Sequence, residues 1–207
     1  MARTREMAYD AALEKALAEF RTIAPYVAAS KSGTDFSEGA FKIPFFNRVF
    51  LLSYPAGEIE EIGPAKGPLP RWLRLVFLHY LLQANGTPVA DYWITYRQLP
   101  GAIFFEKRFV SMAIGPLTRA FGNDLEGFKR AGAALGGEPI SRTGDAGFRF
   151  HALPRIPMAC ILYLGDEEVQ PSVNVLFDAS APAYLPTEDL SILGTYLNSM
   201  QKYRTKA

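Results

Sequence analysis

From Val173 to Asp189 an alternating run, with Val173, Val175 and Phe177 on its apolar side, passes through a turn at Asp178-Ala-Ser180 into a final helix. Thr187 stands where an N-cap belongs, and Glu188 and Asp189 follow where the helix dipole favours acids. Leu190, Leu193, Leu197 and Met200 recur at helical spacing and predict the buried stripe. A strand that hands over to a started helix in so few residues predicts a chain of mixed strand and helix.

The rest of the chain carries both periods. Leu13, Leu17 and Phe20 predict an amphipathic helix over residues 5–23, ended before Pro25, and the polar residues 31–39 predict a loop. Phe41, Ile43 and Phe45, then Val49, Leu51 and Tyr54, then residues 58–62 predict a three-stranded meander, with Pro44 arguing for an edge strand. A Pro- and Gly-rich linker from Gly63 to Pro70 precedes a helix striped by Leu69, Trp72, Leu73, Val76, Tyr80 and Leu81. Alternation over residues 91–97 predicts a strand. Two further helices are predicted, at 115–121 with Pro116 in its first turn and at 124–135. Phe148 and Phe150 alternate, and the run 158–164, apolar on both faces, predicts a central strand. The expected fold class is α+β: one domain over 1–207, an antiparallel or mixed β-sheet packed by helices, with amphipathic helices at both ends. Residues 1–62 supply the first helix and meander, and 69–207 continue the same domain.

With 207 residues, 49% of them hydrophobic, the chain can bury a sizeable core. Its net charge of +1 gives no global attraction to nucleic acid or to anionic lipid, so neither nucleic acid nor a membrane is an expected partner. The charge is uneven. Residues 71–155 carry 11 basic and 6 acidic side chains, and 156–207 carry 3 and 6, a polarity that could orient a partner. The longest apolar runs, 75–82 and 158–164, are far too short to span a bilayer, and the first ten residues lack the apolar core of a secretory signal. A soluble, cytoplasmic protein is the expectation. The single cysteine, Cys160, excludes an internal disulfide and any cysteine-rich cluster held by this chain alone. Placed in the presumed central strand, its thiol should behave as a small hydrophobe with a raised pKa.

Catalytic signatures are scarce. The sequence has no G-x-S-x-G, no phosphate-binding G-x-x-x-x-G-K, no G-x-G-x-x-G after a strand and no H-E-x-x-H, and only His79 and His151 offer an imidazole. Both read first as structural or solvent-facing histidines. Two constellations remain. On the predicted strand 91–97, Trp93, Thr95 and Arg97 share a face, and an aromatic ring, a hydroxyl and a guanidinium together suit a small, partly flat anionic ligand. The acids Asp166, Glu167 and Glu168 follow one strand and Asp178 ends the next. If those strand ends adjoin, the four carboxylates suit a divalent metal. A local role for Asp178, fixing its own turn, is the competing reading.

Several segments in order carry a resemblance: Trp72 to Leu82, Trp93 to Gly101 with its Leu-Pro-Gly, Phe121-Gly122 followed by Leu135-Gly-Gly137, Pro157 to Glu168, and Leu176 to Asp189. Together they resemble the family known as domain of unknown function 3786. The resemblance implies a prokaryotic, largely anaerobic context, in which some similar domains follow a cysteine-rich iron–sulfur module that this sequence lacks. An iron–sulfur or redox protein partner is therefore an expectation of the resemblance. No cofactor is identified. The favoured expectation is a non-catalytic ligand-binding or accessory protein of anaerobic cofactor or redox metabolism. The alternatives are a carboxylate-dependent hydrolase or transferase, with or without a metal, and a structural subunit of a larger complex.

Overall fold

The computed structural model describes residues 2–63, 69–141 and 143–205, so residues 64–68 of the predicted linker lie outside the described residues. Contacts divide the chain into two compact units, Met1–Pro88 with Ala183–Leu185, and Val89–Pro182 with Pro186–Ala207. Both combine helices with antiparallel sheet, and the α+β class holds, with two sheets rather than one.

In the first unit, helices α1 (Ala2–Phe20), α2 (Pro25–Ser32) and α3 (Arg71–Gln83) accompany strands β1 (Asp35–Ser37), β2 (Ala40–Phe45), β3 (Arg48–Ser53) and β4 (Ile59–Ile62), ordered β1-β2-β3-β4. The alternation of β2 works as its sequence predicts: Phe41, Ile43 and Phe45 are fully buried and lie opposite Leu52, Phe50 and Arg48 of β3. Rings from three elements meet there, Phe45 and Phe50 lying 5.6 and 5.4 Å from Phe77 of α3. Tyr80 and Tyr184 are both fully buried, their ring centroids 5.9 Å apart, and Tyr80 donates to the carbonyl of Ser32 at 2.6 Å. Tyr184 donates to the carbonyl of Thr87.

Three expectations change in this unit. The predicted loop over 31–39 is partly the end of α2 and the short strand β1, making four strands rather than three. β2 is interior, not an edge; Pro44 is tolerated because β1 pairs only with residues 40–42, leaving Pro44 beyond its reach. The expected alternation of β3 is out of phase: Arg48, Phe50 and Leu52 are its buried side chains and Val49 and Leu51 are not, so the inward slot facing Phe45 holds a charge. Arg48 is buried, forks onto Glu61 at 2.8 and 2.7 Å, and lies 4.9 Å above the Phe50 ring.

The second unit is built on strands β5 (Trp93–Thr95), β6 (Glu138–Pro139), β7 (Ala146–Leu153), β8 (Ile156–Tyr163) and β9 (Ser172–Asp178), ordered β5-β9-β8-β7-β6. β8 is central and buried from Ile156 to Leu162, as its two-faced apolarity requires. Cys160 sits in it fully buried, and burial pushes its thiol up to about 12. One sheet face, with Phe148, Phe150 and Phe177, meets helices α4 (Glu106–Phe109), α5 (Gly115–Phe121), α6 (Leu125–Ala134) and α7 (Thr187–Tyr196). Phe128 of α6 packs 5.7 Å from Phe148, and Phe109 of α4 lies 6.0 Å from Phe177.

Sequence periodicity predicts α5 but misses its beginning: α4 runs through a π-helical turn, Val110–Ile114, straight into α5. The predicted stripe is intact, with Leu190 and Leu193 in α7 and Leu197 and Met200 in the 3₁₀ helix Leu197–Tyr203 that continues it, all fully buried. The start of α7 differs from expectation. Pro186, not Thr187, is the residue before the first turn, and the Thr187 hydroxyl instead donates to the carbonyl of Pro100 at 2.7 Å. Gly194 lets α7 approach closely, since a Cβ there would stand 2.5 Å from the Phe109 ring.

Candidate functional site

The predicted strand over 91–97 is shorter than its alternation suggests, and that dissolves the Trp93, Thr95, Arg97 set. β5 ends at Thr95, because residues 96–98 wind into a 3₁₀ turn capped by Thr95: its backbone N–H and its hydroxyl both donate to Gln98 Oε1, at 2.8 and 3.0 Å. Trp93 and Thr95 keep a common face, but Arg97 leaves it and pairs with Glu106 at 3.7 Å. The cation that does meet Trp93 comes from another strand. Thr95, Leu176, Ala159 and Arg149 form one row across β5, β9, β8 and β7, and the Arg149 guanidinium lies 5.8 Å from the Trp93 ring while bonding Asp91 at 3.2 Å. Asp91 adopts a left-handed conformation (φ 52°), which Asp tolerates better than most residues. In that row Ala159, next to Arg149, carries only a methyl group. His151 on the same face is exposed and 3.9 Å from Glu138.

The four carboxylates are not brought together. β8 and β9 are antiparallel, with Tyr163 opposite Ser172 and Met158 opposite Phe177, so Asp166, Glu167 and Glu168 follow one end of the pair and Asp178 closes the other. Among the described residues, no group of three or more His, Cys, Asp or Glu is placed to hold a metal ion. Asp166 and Asp178 each have a local task. Asp166 accepts from the N–H groups of Glu168 and Val169 at 2.8 and 2.7 Å, and those bonds hold its pKa below the usual carboxylate range. Asp178 is fully buried, and its Oδ1 accepts from the N–H groups of Ala90 and Ser180, each at 2.9 Å, and from the Ser180 hydroxyl at 2.6 Å. Burial pushes its pKa up. The Ser180 hydroxyl and the N–H groups of Ser180, Ala90 and Tyr92 outweigh that and leave it lowered. Asp178 thus ties the strand that precedes α7 to the segment leading into β5.

The turn made by Asp166 delivers Gln170 and Pro171 to a cleft of about 440 Å³ within the second unit. Its other walls are Thr118, Arg119 and Ala120 of α5, Asn123 and Asp124 of the α5–α6 turn, and Arg204 after α7. Gly122 makes the approach of the two loops possible, because a Cβ there would meet Pro171 at 2.8 Å. Asp124 caps α6 by accepting from Gly127 N–H at 2.9 Å, and Arg204 Nε donates to its other oxygen at 2.7 Å. The bond from Arg204, then that from Gly127, holds the Asp124 carboxyl below its ordinary range. Arg130 donates to the Arg204 carbonyl and adds a third guanidinium close by. Two guanidiniums, two carboxamides and a hydroxyl line the cleft against one carboxylate, itself occupied. That is the chemistry of a small anion's seat. The sequence gives no local sign of it, because its residues come from three separated stretches.

Fold and site together define an α+β protein of two antiparallel sheets with a donor-rich cleft beside the second. Residues 24–200 match the family described as Domain of unknown function (DUF3786), and the chain belongs to that family. No curated protein and no solved structure matches the chain. Among the described residues no helix is long and apolar enough to cross a membrane.

Proposed function

We propose that the protein is a non-catalytic ligand-binding or accessory protein whose ligand is a small anion seated in the cleft of Arg119, Asn123, Gln170 and Arg204. The observation that carries this reading is the convergence of Arg119 and Arg204 in a concavity of about 440 Å³, a size suited to a small metabolite. The anionic ligand suggested by Trp93, Thr95 and Arg97 is retained, and its seat moves. The family resemblance supports placing this activity in anaerobic cofactor or redox metabolism, with a redox protein as partner.

Isothermal titration against phosphate, sulfate, citrate and a nucleoside phosphate tests it. At least one anion should bind the parent protein, and Arg119→Ala should weaken that binding about tenfold or more, the loss expected for a charge-assisted pair. Arg97→Ala should leave it unchanged. No heat with any of the four, or equal affinity in Arg119→Ala, would refute the assignment of the cleft.

A further inference from the structure

Residues 103–112 turn apolar side chains outward from a rigid base. Phe104 is 85% exposed and Ile103 63%, followed by Met112 at 50%, Val110 at 45% and Phe105 at 38%. Beneath them the helix is anchored. Phe109 is buried and stacks on Tyr96 at 4.0 Å and 9°, Ala113 and Leu117 are fully buried, and Asn198 donates to the Met112 carbonyl at 2.7 Å. The π turn that follows Phe109 contains both Val110 and Met112, and such insertions recur at functional sites. Lys107 and Arg108 are exposed between the apolar residues, and Arg97 stands beside Glu106, the one acid between positions 97 and 112. The stretch carries a net +2, although the whole chain carries only +1.

We infer that this ridge docks the protein on the surface of an anionic lipid bilayer, with Ile103 and Phe104 entering the headgroup boundary and Lys107, Arg108 and Arg97 meeting lipid phosphates and carboxylates. The near-neutral total charge predicts no such partner, but the local charge decides the matter, because its effect falls off within a Debye length. Three occupants compete for an exposed apolar ridge. A second copy would bring the same cations face to face across a two-fold axis, which opposes it. An acidic protein would need a preformed pocket around a projecting Phe104. A bilayer needs none, and it suits a 3₁₀ turn and following helix that bury Ala102 and Phe109 in their own unit and show apolar residues interleaved with long cations outward.

Co-sedimentation of the protein with phosphatidylcholine vesicles, with and without phosphatidylserine, provides the test. Binding should require phosphatidylserine and weaken as salt rises. Lys107→Glu with Arg108→Glu should reduce it by tenfold or more, and Ile103→Ser with Phe104→Ser should abolish it while thermal melting stays that of the parent. Absence of binding to phosphatidylserine vesicles overturns the proposal, as does a ridge variant that binds like the parent. A parent dimer in analytical ultracentrifugation that Phe104→Ser dissolves would give the ridge to a second copy instead. Arg119→Ala, which addresses the cleft, should sediment with vesicles as the parent does.

Discussion

Arg48–Glu61 in the first unit and Arg204–Asp124 in the second are the same chemistry at the same 2.7 Å separation, and their surroundings make them different devices. The first pair is 6% and 8% exposed, lies under a four-stranded sheet and replaces what alternation would make an apolar residue. The second is 43% and 29% exposed and opens onto a cleft. A buried guanidinium is committed to its carboxylate, because either partner alone would be an uncompensated charge away from water. A half-exposed one is screened, exchanges with solvent and can be recruited by a competing anion. Charge in the first unit is therefore spent on the fold, and in the second it is available.

The largest effect should come from separating the buried pair. Glu61→Ala should cost about 3–5 kcal/mol in urea unfolding. A loss below about 1 kcal/mol, the range of exposed pairs, would erase the contrast. Next comes Asp178, buried like Arg48 but with its Oδ1 held by N–H and O–H groups instead of a counter-ion. Asp178→Ala should cost about 1–3 kcal/mol by leaving those donors unpaired. Its folded pKa lies below the ordinary 3.8, so its contribution is present above that value and disappears as the pH falls through it toward the lower folded value. Acid unfolding followed by circular dichroism should show a shallower decline below pH 3.8 for Asp178→Asn than for the parent. The smallest effect belongs to Arg204→Ala: about 1 kcal/mol or less in stability, paired with weaker anion binding. If that variant unfolded as readily as Glu61→Ala, the cleft pair would be structural after all.

Sequence periodicity reveals what burial dictates. The stripe Leu190, Leu193, Leu197 and Met200, the alternation of β2 and the central place of β8 follow from which side chains must leave water. The helix from Glu106 through the π turn escapes because its exposed face is also apolar, so Val110 and Met112 blur the contrast that marks a helix. Arg97 alternates with its neighbours in the sequence, but the Gln98 side chain caps a turn that begins at residue 96. Arg149 reaches Trp93 only through a register that crosses two intervening strands. The cleft gathers residues 118–124, 170–171 and 204, a proximity that exists only after the chain has folded.

Cys160 has a practical consequence. A lone thiol, fully buried in the central strand and with its proton held to about pH 12, presents almost no thiolate to an alkylating reagent while the second unit stays closed. Each labelling event then records a molecule that has opened. The rate of maleimide incorporation under native conditions becomes a clock for how often the five-stranded sheet comes apart, without denaturant and without an introduced cysteine.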